Sequence, residues 1–445
     1  MSGKKSRGPK PISRSQRLSS RRCPKCLFNS GPCYTLKELK QFYLALVLTI
    51  FVKPPSAQSI TLNDALREAL TKHPLLASAA NRIESAAGKS QQAGLRPNPL
   101  LIYQSEDFRT WQSPGHRFFQ DADHFFYLQQ TFETASKRAR RVDVATANER
   151  RAEIEVMLLK QVIAAKVRAA YWDALGGQQR EIVLRQAVGR FSEIVEFHRN
   201  RVKEGAMAEA DLLRVQLEEQ KIALAANSAK IDAQLQLIRL QREMGRGEIE
   251  TISLDSPLTS AALSVGELTV FAALEQRAEA QLARQIIEIA GAQVGLERAL
   301  ATPNVDGVGG YKRSHEFDTI MWGVQVQLPF FNRNQGNIAS ATAEDRLARN
   351  ALVSTQALIK AQYEGALREV ELRGAQLETM VQPIRRRAQE TAGLAQSAYR
   401  LGGADLLRLL DAQRQVLEAE QMYLDAILAL RQAKASLQSA AGSIQ

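Results

Sequence analysis

Residues 322–336 read Trp322-Gly323-Val324-Gln325-Val326-Gln327-Leu328-Pro329-Phe330-Phe331-Asn332-Arg333-Asn334-Gln335-Gly336. Trp322, Val324, Val326 and Leu328 alternate with Gly323, Gln325 and Gln327. That is a strand with one apolar face and one Gln/Gly face, as a strand between lipid and water requires. A half-buried strand of a soluble sheet gives the same alternation. Pro329 removes a backbone donor where pairing must stop. Asn332 and Asn334 suit turn geometry and are expected to cap the helix that follows. From Gln335 a helical tract runs to Leu401, and Pro383 is expected to kink or loosen it.

This junction belongs to the second of two similar halves. Pro97 and Asn98 reappear as Pro303 and Asn304, and Ala145-Thr146-Ala147 as Ala341-Thr342-Ala343. Gly205, Leu212, Leu213 and Gln216 reappear as Gly402, Leu409, Leu410 and Gln413. Repeats are expected at 58–250 and 251–445, each with a helix, two strands, a very long helix, a glycine turn and a helix back. Such a duplication builds walls and tubes.

Ala152, Val156, Leu159, Ile163, Val167, Ala170 and Ala174 follow an eleven-residue period, which favours a nearly straight rod. About 67 residues at 1.5 Å each give a rod of about 100 Å. Shorter helices are expected near 62–95, 209–244, 267–301 and 404–440, and strands near 98–107, 123–132, 304–313 and 320–329. The fold class is therefore mainly α with a small β part. Four strands are too few to close a barrel, so their edges call for other copies of the chain. The repeat offset falls from 206 before the strands to 196 after them, which places extra residues between the first two strands, around Phe108 to Asp121. Insertions concentrate in exposed loops, so that hairpin tip is expected to face solvent.

Residues 1–57 hold 12 of the 59 Lys and Arg and one of the 47 Asp and Glu, a net of +11 out of the chain's +12. The remaining net of +1 offers no footprint for a polyanion, which excludes nucleic acid as a partner. Lys37 and Lys40 precede an apolar run from Phe42 to Val52, too short to span a bilayer but fitting a signal-peptide core. Processing is expected after Ala57 or after Ser59. Cys23, Cys26 and Cys33 all precede that point, and the Cys23–Cys26 pair lacks the further ligands of a zinc site. A cysteine-free exported body suits an oxidising compartment.

Catalytic constellations are absent. Ala87-Gly88-Lys89-Ser90 lacks the first glycine of a phosphate loop and lies in a helical stretch. Gly307-x-Gly309-Gly310 lies in a strand with no helix behind it. His73, His116, His124, His198 and His315 have no ligand spacing and read as surface or interface histidines. No cofactor and no metal site is expected. Charged residues cluster instead at the two glycine turns, with Arg201, Glu204, Gly205, Glu209, Asp211 and Arg214 at one. Arg400, Gly402, Gly403, Asp405, Arg408 and Asp411 form the other. In a symmetric assembly each charge becomes a ring able to gate a pore, although Asp405 equally suits a helix N-terminus. An offset of 197 aligns Asp211 with Arg408, so the two turns present different charges.

The stretch Leu328 to Gly336 resembles the strand-to-helix junction of the outer-membrane efflux protein family, the TolC-like outer-membrane factors. Leu95-Arg96-Pro97-Asn98-Pro99 resembles that family's first helix-to-strand junction, and Leu409-Leu410-Asp411-Ala412-Gln413-Arg414 its second periplasmic turn. Among its branches the chain looks most like the one serving heavy-metal exporters. The resemblance implies a homotrimer with a twelve-stranded barrel in the outer membrane and a twelve-helix periplasmic tunnel. It also implies a passive exit duct that docks a periplasmic adaptor and an inner-membrane efflux pump. The family often has an acidic residue where Arg408 stands, which departs from a simple acidic ring. The alternative is a periplasmic coiled-coil adaptor or scaffold without a pore.

Overall fold

The structure, a computed structural model, describes residues 58–107, 115, 117–256, 258, 270–314 and 317–444. The expected export segment, its cysteines, His116, His315 and residues 108–114 of the first hairpin tip lie outside them.

The elements in order are β1 (Gln58–Ile60), α1 (Leu62–Lys72), α2 (Pro74–Ala93), β2 (Leu100–Glu106), α3 (Phe118–Asp121), β3 (Asp123–Phe132), α4 (Lys137–Lys203), α5 (Glu209–Glu243) and β4 (Ile252–Leu254). They continue with α6 (Val270–Gln276), α7 (Ala278–Leu300), β5 (Val305–Ser314), β6 (Phe317–Val326), α8 (Gln335–Gln376), a π-helical turn (Leu377–Val381), α9 (Gln382–Arg400) and α10 (Leu406–Ala440). The helix expected over 62–95 is two helices. Pro74 drives His73 into an extended conformation (ψ 127°), and the His73 ring then accepts the Leu75 N–H at 3.1 Å, capping α2. A similar break at Arg277 separates α6 from α7.

The rod α4 is one helix of 67 residues, about 100 Å long. Ala152, Ile163, Val167 and Ala174 of its eleven-residue series are buried. Helices α1 and α2 pack along its first half and α5 returns along its second, so short elements laid end to end match one long one. In the second half, α10 lies against both α4 and the α8–α9 rod. Tip-ward, the helix layer therefore runs α5, α4, α10, α9.

Where α4 passes between α5 and α10 it carries Gly176 and Gly177. A Cβ on Gly176 would lie 2.5 Å from Leu428 Cδ1. One on Gly177 would lie 2.2 Å from Gln236 Oε1 and 3.1 Å from the Ala233 backbone. Neighbouring positions point about 100° apart on a helix, so each glycine admits a different partner.

At mid-height β1 and β4 pair in parallel, Gln58 opposite Ile252 and Ile60 opposite Leu254. Tyr171 of α4 donates to the Ile60 carbonyl at 3.1 Å. Beside this pair, Arg246 clamps Glu68 with two hydrogen bonds of 2.7 Å and reaches Glu250 at 3.2 Å. The hydrogen bonds from Arg246 hold the Glu68 carboxyl below the usual glutamate range. A lowered carboxylate pKa stabilises the fold above the unfolded value near 4.5 and loses that contribution as pH falls through the folded value. Arg246→Ala is expected to cost about 2 kcal/mol at neutral pH. Chemical denaturation at pH 7 and pH 3 checks this: the difference from the parent protein should shrink in acid.

The four-stranded sheet has the order β2-β3-β5-β6, antiparallel throughout. Strand β6 starts and ends three residues earlier than its alternation suggested. Its last pair is Val326 with Val305, the first residue of β5, so Gln327 and Leu328 have no partner strand.

Candidate functional site

Three regions bear on function: the sheet, the junctions that join it to the rods, and the turns at the rods' far ends.

Residues opposite one another in an antiparallel register share a face, so Tyr103, Phe126, Tyr311 and Ile320 lie side by side. Leu101, Trp322 and Val324 extend that face two residues at a time. It is open to the surroundings, with Ile320 88% and Trp322 84% exposed. The other face carries Gln104, Gln129, Lys312 and Gln325, with Thr131 hydrogen-bonded to Asp306. Ten-residue strands such as β3, β5 and β6 are about 33 Å long. Tilted as barrel strands are, they match an apolar band about 25 Å tall. No helix among the described residues is long and apolar enough to cross a membrane. The first hairpin joins Glu106 to Asp123 and the second Ser314 to Phe317, so the longer connection lies between β2 and β3. His124 is buried at its base, bonded to Tyr103 Oη at 3.0 Å and to the Phe118 carbonyl at 2.8 Å.

At the junctions the asparagines act differently from the expectation. Asn334 stands at the start of α8 in the left-handed region (φ 59°), and its side chain makes no capping bond. Its amide instead donates to the Glu297 carbonyl at 2.8 Å and carboxylate at 2.7 Å, tying α8 to the end of α7. Asn332 closes the turn by accepting the Asn334 N–H at 3.0 Å. Asparagine tolerates this conformation better than most residues, which is why it stands here. Ser136 starts α4 in the same left-handed conformation (φ 56°). Gly336 lies in the first turn of α8, and Pro329 follows the end of β6. Pro97 accepts a hydrogen bond from Gln130 at 3.1 Å on its carbonyl. Asn98 lies between α2 and β2.

At the far ends, Gly205 (φ 70°) and Gly402 (φ 77°) close the two rods. In each turn two backbone bonds reach back into the last helical turn, Gly205 to Val202 and Ala206 to Arg201, Gly402 to Tyr399 and Gly403 to Ala398. This double closure needs a left-handed residue, so glycine is the natural occupant. Asp405 caps α10, accepting the Arg408 N–H at 2.9 Å, so its carboxylate serves the helix end. Asp411 accepts from Gln415 at 2.9 Å. Arg400 ends α9 and borders a cavity of about 160 Å³ with Phe197, Tyr399 and Leu409.

Two links here escaped the sequence reading. His198 is fully buried (0% exposed) and His124 is 4% exposed, where surface or interface histidines were expected. His198 Nδ1 lies 2.8 Å from the Ile194 carbonyl and Nε2 lies 2.8 Å from Tyr399 Oη. A carbonyl only accepts, so Nδ1 carries the proton and Nε2 of the neutral ring accepts from Tyr399. Burial, then the nearby Asp211 charge, pushes the Tyr399 hydroxyl pKa up. Asp211 and Arg400 thus border one network joining the first hairpin to the second, whereas Asp405 and Asp411 serve their own helix. Deeper in, Glu218 of α5 accepts from Arg414 of α10 at 2.6 Å and from Lys221 at 3.1 Å. Burial works against the Glu218 carboxylate, but the bonds from Arg414 and Lys221 outweigh it and hold its pKa low. Buried polar residues at core positions of long helices are the only sequence signal for either link.

A four-stranded sheet with one exposed apolar face, carried on paired rods, leaves open edges that further copies of the chain would cover. Residues 270–443 match the profile of the family described as "Outer membrane efflux protein". Over that stretch, under half of its length, the chain is similar to outer-membrane efflux proteins. It is 24% identical over 371 residues to the cobalt-zinc-cadmium resistance protein CzcC of Cupriavidus metallidurans, covering 83% of this chain and 87% of CzcC. Its fold is that of the outer membrane protein VceC of Vibrio cholerae, with TM-score 0.69, 21% identity, and 86% and 96% of the two chains covered. The CmeC outer membrane channel of Campylobacter jejuni is similar too, with TM-score 0.72, 17% identity, and 86% and 85% covered.

Proposed function

We propose that the protein is the exit duct of a tripartite efflux pump, conducting substrates passively from a periplasmic adaptor and inner-membrane pump to the exterior. The observation that carries this reading is the pair of open edges. The sheet ends at β2 and β6 with an apolar outward face, and the tip-ward helix layer ends at α5 and α9. Both layers close only on further copies, and a trimer supplies twelve strands and twelve tip-ward helices. Residues 1–57 serve as the export segment, and 58–250 and 251–445 as the two repeats. The similarity to CzcC favours the heavy-metal branch, with divalent metal cations as cargo.

Reconstitution in planar bilayers tests the duct: a detergent-stable trimer that conducts ions is expected, and a water-soluble monomer from the periplasm would favour the adaptor alternative. A strain lacking the chain should become more sensitive to zinc, cobalt or cadmium; unchanged sensitivity would remove metals as cargo. The turns at Gly205 and Gly402-Gly403 form the periplasmic gate, with Asp211, Arg400, Asp405, Arg408 and Asp411 as its charges. Pro97, Asn98, Pro329, Asn332, Asn334 and Gly336 set the junction geometry. Arg408→Ala is expected to raise basal conductance severalfold without changing the oligomer. Asp405→Ala should do so through the loosened start of α10, a cap worth about 1 kcal/mol. Single-channel recording decides, and unchanged conductance in Arg408→Ala excludes that side chain from the gate.

A further inference from the structure

We infer that the two rods share a built-in hinge at mid-height, formed by Gly176-Gly177 on α4 and the π turn at Leu377–Val381. This rests on the exit-duct reading, in which the tips must move, and adds where the motion is absorbed.

The first observation is that each rod has a weak point at the same level. Two adjacent glycines inside α4 cost about 2 kcal/mol of helix propensity relative to alanine. On the other rod the Gln382 N–H bonds to Leu377, five residues back. Pro383 follows and offers no N–H to the Thr379 carbonyl. Such π turns and prolines are where long helices bend. Leu428 of α10 fixes the levels to each other. It touches the space over Gly176 on one side and packs with Leu377 and Val381 on the other.

The second observation is that the core is divided at this level. The cluster around β1 and β4 takes in α4 as far as Leu175, and the next cluster on α4 begins at Leu184. On the other rod, Leu377 and Val381 belong to one cluster and Ala392 to a separate one further down. Each tip-ward segment has its own packing, and the His198–Tyr399 bond ties the segment of one rod to that of the other. The two can swing as a unit about Leu428 while the parts nearer the membrane stay fixed.

Spin-label distances in the reconstituted full chain test this, with Cys23, Cys26 and Cys33 replaced by serine and labelled chains diluted in unlabelled ones. The pair Leu372→Cys with Leu394→Cys straddles the π turn, and Leu347→Cys with Leu372→Cys lies wholly within α8. All three positions are exposed. The straddling pair is expected to give a distance distribution about twice as wide as the control, and its mean should shift further when Tyr399→Phe releases the tip. Equal widths and unmoved means in both backgrounds would overturn the hinge. Conductance of the same preparations separates the two ideas: a conducting trimer with a stiff rod sinks the hinge alone, and a non-conducting one sinks the duct.

Discussion

Gly310→Val is expected to abolish assembly of the four-stranded sheet. A Cβ at Gly310 would lie 2.2 Å from the Phe126 carbonyl oxygen and 2.5 Å from the Tyr127 Cα, both backbone atoms of the neighbouring strand. No rotamer change relieves a clash with backbone, so β3 and β5 must separate along their shared ladder. Overpacking of this kind costs about 3 kcal/mol or more per chain, at least about a hundredfold in the balance between inserted and uninserted protein. Gly309→Val is the control. Gly309 points to the lipid-facing side, and a Cβ there meets nothing within 4 Å. Outer-membrane fractionation should recover the Gly309 variant at the parent level and lose the Gly310 variant. Equal recovery would refute the close approach of the two strands.

Tyr399→Phe is expected to open the tip. The substitution removes one hydroxyl and leaves His198 Nε2, buried and turned towards α9, without its donor. A neutral hydrogen bond contributes about 1 kcal/mol. In a trimer whose three tips release together, about 3 kcal/mol corresponds to more than a hundredfold shift towards the open state. Basal conductance in planar bilayers should rise accordingly, while the amount of inserted trimer stays at the parent level. His198→Ala should act in the same direction and also lower stability, because it leaves a cavity. A Tyr399→Phe channel as closed as the parent would show that the tip is held by other contacts, with the Glu218–Arg414 pair the next to test.

The large elements were legible because each is written in a repeated local signal. The eleven-residue period of α4, the glycine turns at Gly205 and Gly402 and the alternation of Trp322 to Val326 all depend on near neighbours in sequence. What escaped depends on distant partners. The end of β6 is set by where Val305 begins the facing strand. The role of Asn334 is set by Glu297, 37 residues earlier on another helix. His198 looked like one of five scattered histidines until Tyr399, 201 positions later, was placed against it. Pro383 did announce a disturbance, but its form, a π turn with Leu428 wedged against it, follows from α10. Asp405, read as a gate charge or a helix cap, does cap α10.

The short parallel pair β1–β4 constrains the order in which the chain can be built. Gln58 waits for Ile252, 194 positions later, before it finds its partner, and closing so long a loop costs about 5 kcal/mol in chain entropy. A chain threaded through a membrane from its N-terminus therefore delivers its leading strand long before the strand that receives it. The first hairpin can coil as it emerges, but its base stays unlatched until the second half begins to arrive. Maturation of this protein is thus a late, single event at mid-height, and the leading residues need protection from other partners throughout the interval.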